Sequence, residues 1–230
     1  SLKKSRTVTL SMNEYKECFE FAMRIVYSGV SSHGTGIRGF RSEVQLVDDF
    51  ILGILGEYGV KKLLKDNFNF LVELDMNVHI EHITPQDIIS YRKNNRFIEP
   101  KLGIAIKASK IKNCFNIIPP IEYENDNRKS DVYIFARVDL PSDHLFRIVK
   151  KNSFFKDITR ILEKDEKSKK IGNLINIPVW ICGFNYHKEL DKVNSVPGQE
   201  FGGNPPHRYV KSVSEMRNSD KDWQELINKL

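Results

Sequence analysis

Cysteine is scarce in this chain: there are three in 230 residues, Cys18, Cys114 and Cys182, and none lies in a CxxC pair. An odd, scattered set excludes a disulfide framework and a zinc knuckle, so the three read as buried apolar thiols. Long apolar runs are missing as well. No window approaches the roughly 18 continuous apolar residues of a helical membrane span, so a membrane protein of that kind is not expected. The opening "SLKKSRTVTLS" has no apolar signal core, and from this a cytoplasmic location is expected. Nucleotide loops are absent in their turn. No G-x-x-x-x-G-K-[ST] occurs, and "GTGIRGF", although it has G-x-G-x-x-G spacing, lacks the strand-to-helix setting of a dinucleotide loop, which argues against ATP and NAD. Ser142, Asp143 and His144 are adjacent in "LPSDHLFR" without a nucleophile elbow, so a turn and a short helix are expected there. His79 and His82, three apart on an expected strand, point to opposite faces and do not chelate together.

What is present is charge of one sign. The formal net charge is +6, and Arg92, Lys93, Arg96, Lys101, Lys107, Lys110 and Lys112 crowd into one short stretch. That balance favours a polyanionic partner such as nucleic acid. Hydrophobic content of 40% and the length fit one large globular domain over 1–230.

Apolar spacing predicts a helix over 12–28, with Ser11 as cap and Glu14 three residues on, and a second from Glu43 to about Leu64. Gly53, Gly56 and Gly59 sit three apart in that second helix, where each glycine costs about 1 kcal/mol, so close approach of a sheet is expected. Between the helices, 28–42 reads as a glycine loop that carries Arg38 and Arg41. Strict alternation predicts a strand over 68–80, with Asp75 on its polar face, and further strands at 102–108, 131–138 and 177–184. "IISYRKNNRFI" is ambiguous between helix and strand. A helical pattern covers 154–170, 193–209 reads as a long loop holding Arg208, and a last helix begins at the cap Ser219 with Asp222 in its first turn. The fold class is therefore α/β, a mixed central β-sheet flanked by helices.

The strand "LGIAIKASK" puts Lys107 on the same face as Gly103 and Ala105, which leave room beside a cation. With "LGILGEYGV" on the preceding helix, an acidic residue near the intervening strand and "SDVYIFARV" afterwards, this stretch resembles the core of the PD-(D/E)xK nucleases, the superfamily of most restriction endonucleases. The resemblance covers about Glu43 to Val138, and the expected core spans about 43–140, with 141–230 extending the sheet and adding DNA-binding or dimerisation elements. It implies a Mg²⁺-dependent double-stranded DNA endonuclease of the type II restriction kind, acting as a homodimer. Lys107 would act on the water. Asp87 in "TPQDI" is the first choice for the strand aspartate and Asp75 its rival, and Glu57 matches the helix glutamate. Ala105 departs from the pattern, because an acid usually stands two residues before the lysine. Glu122, with Glu124 second, would replace that ligand from downstream. Metal would then fall to Asp87, Glu122, Glu57 or Asp75. DNA contacts are expected from Arg38, Arg41, Lys110, Lys112 and Arg208. The rival expectation is a non-catalytic DNA-binding protein with a degenerate nuclease core.

Overall fold

The computed structural model describes residues 6–28, 42–78, 86–150, 172–174 and 176–230, with isolated helical positions at Lys156 and Arg160. The glycine loop with Arg38 and Arg41, both histidines of "HIEH" and most of the helix expected over 154–170 lie outside the described residues.

Ser11 ends strand β1 (Arg6–Ser11) and caps helix α1 (Met12–Tyr27), its hydroxyl accepting from Glu14 N while Glu14 returns a carboxylate to Ser11 N. Ser42 and Gln45 repeat this box at the start of α2 (Glu43–Phe68). α2 runs a turn beyond the expected end, because Lys65, Asp66 and Asn67 carry no apolar signal yet stay helical until Asn69 turns left-handed at φ 51°.

The strand expected over 68–80 shortens to β2 (Val72–Leu74). Alternation does follow burial there, but Asn77 donates backbone and side-chain N–H to Asp75 Oδ1, a local turn that competes with the ladder. "IISYRKNNRFI" is a hairpin of β3 (Ile88–Lys93) and β4 (Arg96–Ile98), closed by Asn94 and Asn95 at φ 49° and 62°. β5 (Ile104–Lys110), β6 (Phe115–Ile118), the short helix α3 (Pro120–Tyr123), β7 (Val132–Val138) and α4 (His144–Val149) follow. The C-terminal part supplies β8 (Asn176–Tyr186), β9 (Asp191–Val193), β12 (Arg208–Ser212) and α5 (Asp220–Lys229). Within the expected 193–209 loop, β10 (Ser195–Val196) and β11 (Gln199–Glu200) form a small hairpin.

The fold is mixed α/β. Its central sheet has the order β1-β8-β7-β5, with β5 parallel to β7 and the other pairs antiparallel. Every residue of β7 is buried, as expected of a strand covered on both faces. α2 covers one face and is itself covered by α1. A Cβ on Gly56 would lie 2.6 Å from that of Ala108, and one on Gly59 would lie 2.5 Å from Val179 Cγ1, so two of the three glycines are where helix and sheet touch. The other face carries a three-stranded sheet, β6-β12-β9, packed through Ala105, Ile118, Tyr133, Leu190 and Tyr209. A second three-stranded sheet, β2-β3-β4, stands beside β5.

Of the cysteines, Cys18 and Cys182 are buried, whereas Cys114 is exposed in the turn before β6 and departs from the expected apolar thiol. Trp223 is fully buried against Phe68 and Phe184. His144 is a structural link, its ring between Tyr15 Oη (2.6 Å) and Asp48 Oδ1 (2.7 Å), tying α4 to α1 and α2. No described helix is long and apolar enough to cross a membrane.

Candidate active site

Asp87 joins the two sheets. Its backbone N–H donates to Ile104 O (2.9 Å), its carbonyl accepts from Asp75 N (3.1 Å), and its carboxylate accepts from Ile106 N (2.5 Å). β3 then continues with β2 and β4, while β5 pairs with β7, so the strands are stitched together at Asp87. Asp75 and Asp87 thus sit side by side on adjacent chain segments. Both rivals for the strand aspartate reach one place.

Lys107 leaves β5 next to this stitch. Its ammonium meets Glu122 Oε1 at 2.5 Å. The two side chains keep 31% and 22% of their surface exposed, enough for a ligand to reach the pair from solvent. Glu122 is carried by α3, a helix too short to be stable alone. Pro119 and Pro120 fix its entry, and Tyr123 holds its far end: the hydroxyl donates to His187 O (2.9 Å), and the ring stacks between His187 and Tyr209 at centroid distances of 3.8 and 3.5 Å. Glu124 turns the other way, accepting from Tyr209 Oη (2.6 Å) and His207 Nε2 (3.0 Å).

Glu57 arrives from α2, one residue after the glycine that touches Ala108. Burial first, then the negative charges of Asp87 and Asp75, hold its carboxyl well above the usual carboxylate range, with Lys107 opposing them. Asp87 is pushed up to about 6, chiefly by burial; Lys107 and the Ile106 amide work against the rise, and Glu122 and Asp75 add to it. For Lys107 burial works to lower the pKa, but Glu122 and Asp87 outweigh it and raise the ammonium above its ordinary value. Glu57, Asp75, Asp87, Lys107 and Glu122 therefore form one electrostatic group, in which Glu57, Asp87 and Glu122 interact with the Lys107 ammonium and Asp75 acts on Glu57 and Asp87. Carboxylate oxygens are donors of the kind that hard divalent cations take. Among the described residues, no three acids stand close enough to hold a metal ion as they are, with Glu122 on Lys107 and Asp87 on the Ile106 amide.

The expected room beside Lys107 is not where the small residues suggested. A Cβ on Gly103 would meet Gln86 Nε2 at 2.1 Å, so the Gln86 amide fills that gap. Ala105 is 1% exposed and lies beside Tyr133, its partner across the β5–β7 ladder. Its small size accommodates a ring, and an acid there would be buried in an apolar cluster.

Of the expected DNA-contacting residues, Lys110 lies 3.5 Å from Asp48, and Lys112 is exposed in the turn after β5. Arg208 is tied to its own loop through the carbonyls of Gly202, Pro205 and His207 and lies over Phe201. Sequence reasoning missed Gln86, Tyr123, His187 and Tyr133. Only the contrast of a tyrosine facing an alanine hints at one of them, and that contrast requires the strand register. No protein-family model matches the chain, and neither a curated protein nor a solved structure resembling it was found.

Proposed function

We propose that this protein is a Mg²⁺-dependent endonuclease of double-stranded DNA, with a restriction-endonuclease-like core and the activity of a type II restriction enzyme. One observation carries the reading: Glu122 pairs with Lys107, Asp87 and Glu57 interact with the same ammonium, and Asp75 acts on both of those acids, although the four carboxylates are far apart in sequence. Fold stability does not require such a cluster, since buried like charges oppose folding. Metal-dependent phosphodiester hydrolysis does use one, because that route places carboxylates, a divalent ion and a fixed cation around one phosphate.

Asp87, Glu57 and Asp75 would hold Mg²⁺, with Glu122 in place of the acid missing at residue 105. Bound there, the ion supplies Lewis-acid stabilisation of the phosphate charge and lowers the pKa of water. Lys107, raised above its ordinary pKa, carries its charge at neutral pH, so its part is to orient the attacking water and stabilise developing negative charge rather than to remove a proton. Glu122 holds the Lys107 ammonium in place. A homodimer, with two such sites related by a two-fold axis, would cut both strands of a palindrome.

Incubating long duplex DNA with the protein and Mg²⁺, beside Lys107→Ala, tests the reading. Cleavage by the unmutated protein, reduced by about 10²–10⁴-fold in the variant, is expected. A second reading, a DNA-binding protein with a degenerate core, is motivated by the buried Ala105. Binding without cutting by the unmutated chain would support that reading and defeat the first.

A further inference from the structure

The β3–β4 hairpin starts one residue after Asp87 and leaves the body of the protein. All eight residues from Arg92 to Glu99 are exposed, whereas every residue of β7 in the central sheet is buried. Its cations are Arg92, Lys93 and Arg96. Across the ladder Arg92 stands opposite Phe97 and Lys93 opposite Arg96, so successive pairs project basic side chains from both faces of the ribbon. Arg92 donates to Asn95 Oδ1 at 2.9 Å, a neutral acceptor that leaves its charge uncompensated. The nearest acids on this sheet are engaged or outlying: Glu73 accepts from Ser90 Oγ (2.5 Å), and Glu99 lies beyond the end of β4. Phe97 is 50% exposed, with Ile98 at 38% and Ile89 at 37%, so the ribbon also offers an apolar surface.

Two occupants fit an exposed ribbon with an apolar component. A second copy paired along the free edge strand β4 would bring the Arg96-bearing strands of both copies together, with Arg92 and Lys93 of each one strand further in, a crowding of like charge that opposes association. A polyanion has no such conflict. The major groove of B-DNA admits a two-stranded ribbon, where side chains on both faces reach the flanking phosphates and an apolar one meets a thymine methyl. We propose that the β3–β4 hairpin is a DNA-contacting arm that enters the groove beside the scissile phosphate; this rests on the nuclease reading above. At about 3.3 Å per residue, the seven steps from Asp87 to Asn94 span about 23 Å, so the arm reaches at most about seven base pairs from the cut.

The test uses the full chain and a long duplex, with Ca²⁺ in place of Mg²⁺ so that binding is read without cutting. The triple variant Arg92→Ala/Lys93→Ala/Arg96→Ala is expected to bind more than tenfold more weakly at moderate salt. Its slope of log affinity against log salt should be shallower by about 2–3. Phe97→Ala alone is expected to weaken binding without changing the slope. These side chains are exposed, so melting temperatures should match that of the parent, and light scattering reports the oligomeric state. An unchanged slope in a triple variant that melts normally overturns the arm while leaving nuclease activity of the parent intact. So does an altered oligomeric state with an unchanged slope, which would assign the ribbon to a second copy. If the unmutated protein neither binds nor cuts duplex DNA, the nuclease reading fails and the arm with it.

Discussion

A carboxylate whose pKa is raised to about 6 sits in a folded chain that opposes its charge, and at Asp87 this has consequences for both stability and activity. Between the ordinary carboxylate range and about pH 6, folded molecules hold a proton on Asp87 that unfolded ones have released. The group therefore favours folding at low pH, and its contribution fades as pH rises through about 6. Asp87→Asn removes the charge but keeps an oxygen for the Ile106 amide. It is expected to raise the melting temperature at pH 7.5 without divalent ions while abolishing cleavage, as read by a thermal melt beside a cleavage assay. Glu57→Gln should do the same, since its carboxyl is held well above the usual range. Cleavage by the unmutated protein should fall as pH drops through about 6, where Asp87 becomes protonated and loses its capacity to bind a cation.

At the scale of elements, α2 positions Glu57 only because Gly56 and Gly59 let the helix lie against the sheet. Alanine at either position gains helix propensity but drives a methyl into Ala108 or Val179, so Gly56→Ala and Gly59→Ala are expected to destabilise by about 1–3 kcal/mol. Gly53 meets nothing within 4 Å, and Gly53→Ala is expected to stabilise by about 0.5–1 kcal/mol. Chemical denaturation of the three variants separates the cases. The glycine spacing announced this contact in the sequence, just as Ser11–Glu14 and Ser219–Asp222 announced helix starts, because those signals are local. What was not legible is pairing. Alternation marks Asp75 as polar, yet only the ladder between β2 and β3 shows that Asp75 and Asp87 are neighbours rather than alternatives. Pairing of β6 with β12 joins residues about 90 positions apart, so the clamp of Tyr209 on Tyr123 left no mark on the local pattern. β1 escaped notice as a short edge strand whose partner, β8, comes from the other end of the chain.

At the scale of the molecule, the C-terminal third is integral to the sheet that carries the site. β8 lies between β1 and β7, and β12 covers the face over Ala105, so removing residues beyond 140 would uncover both the core and the clamp on α3. The fold thus surrounds a locally unfavourable patch of negative charge with a stable frame, an arrangement that makes sense when a cation completes it. Thermal unfolding with added Mg²⁺ or Mn²⁺ at pH 7.5, on the unmutated chain and on Asp87→Asn, tests this without DNA or a known recognition sequence. An ion at ten times its Kd adds about 1.4 kcal/mol, which for a chain of this size raises Tm by about 3–5 °C. The account predicts that the unmutated protein starts at the lower Tm and gains this increment with millimolar ion, while Asp87→Asn starts higher and gains nothing. Equal responses in the two proteins, or none in either, would contradict it.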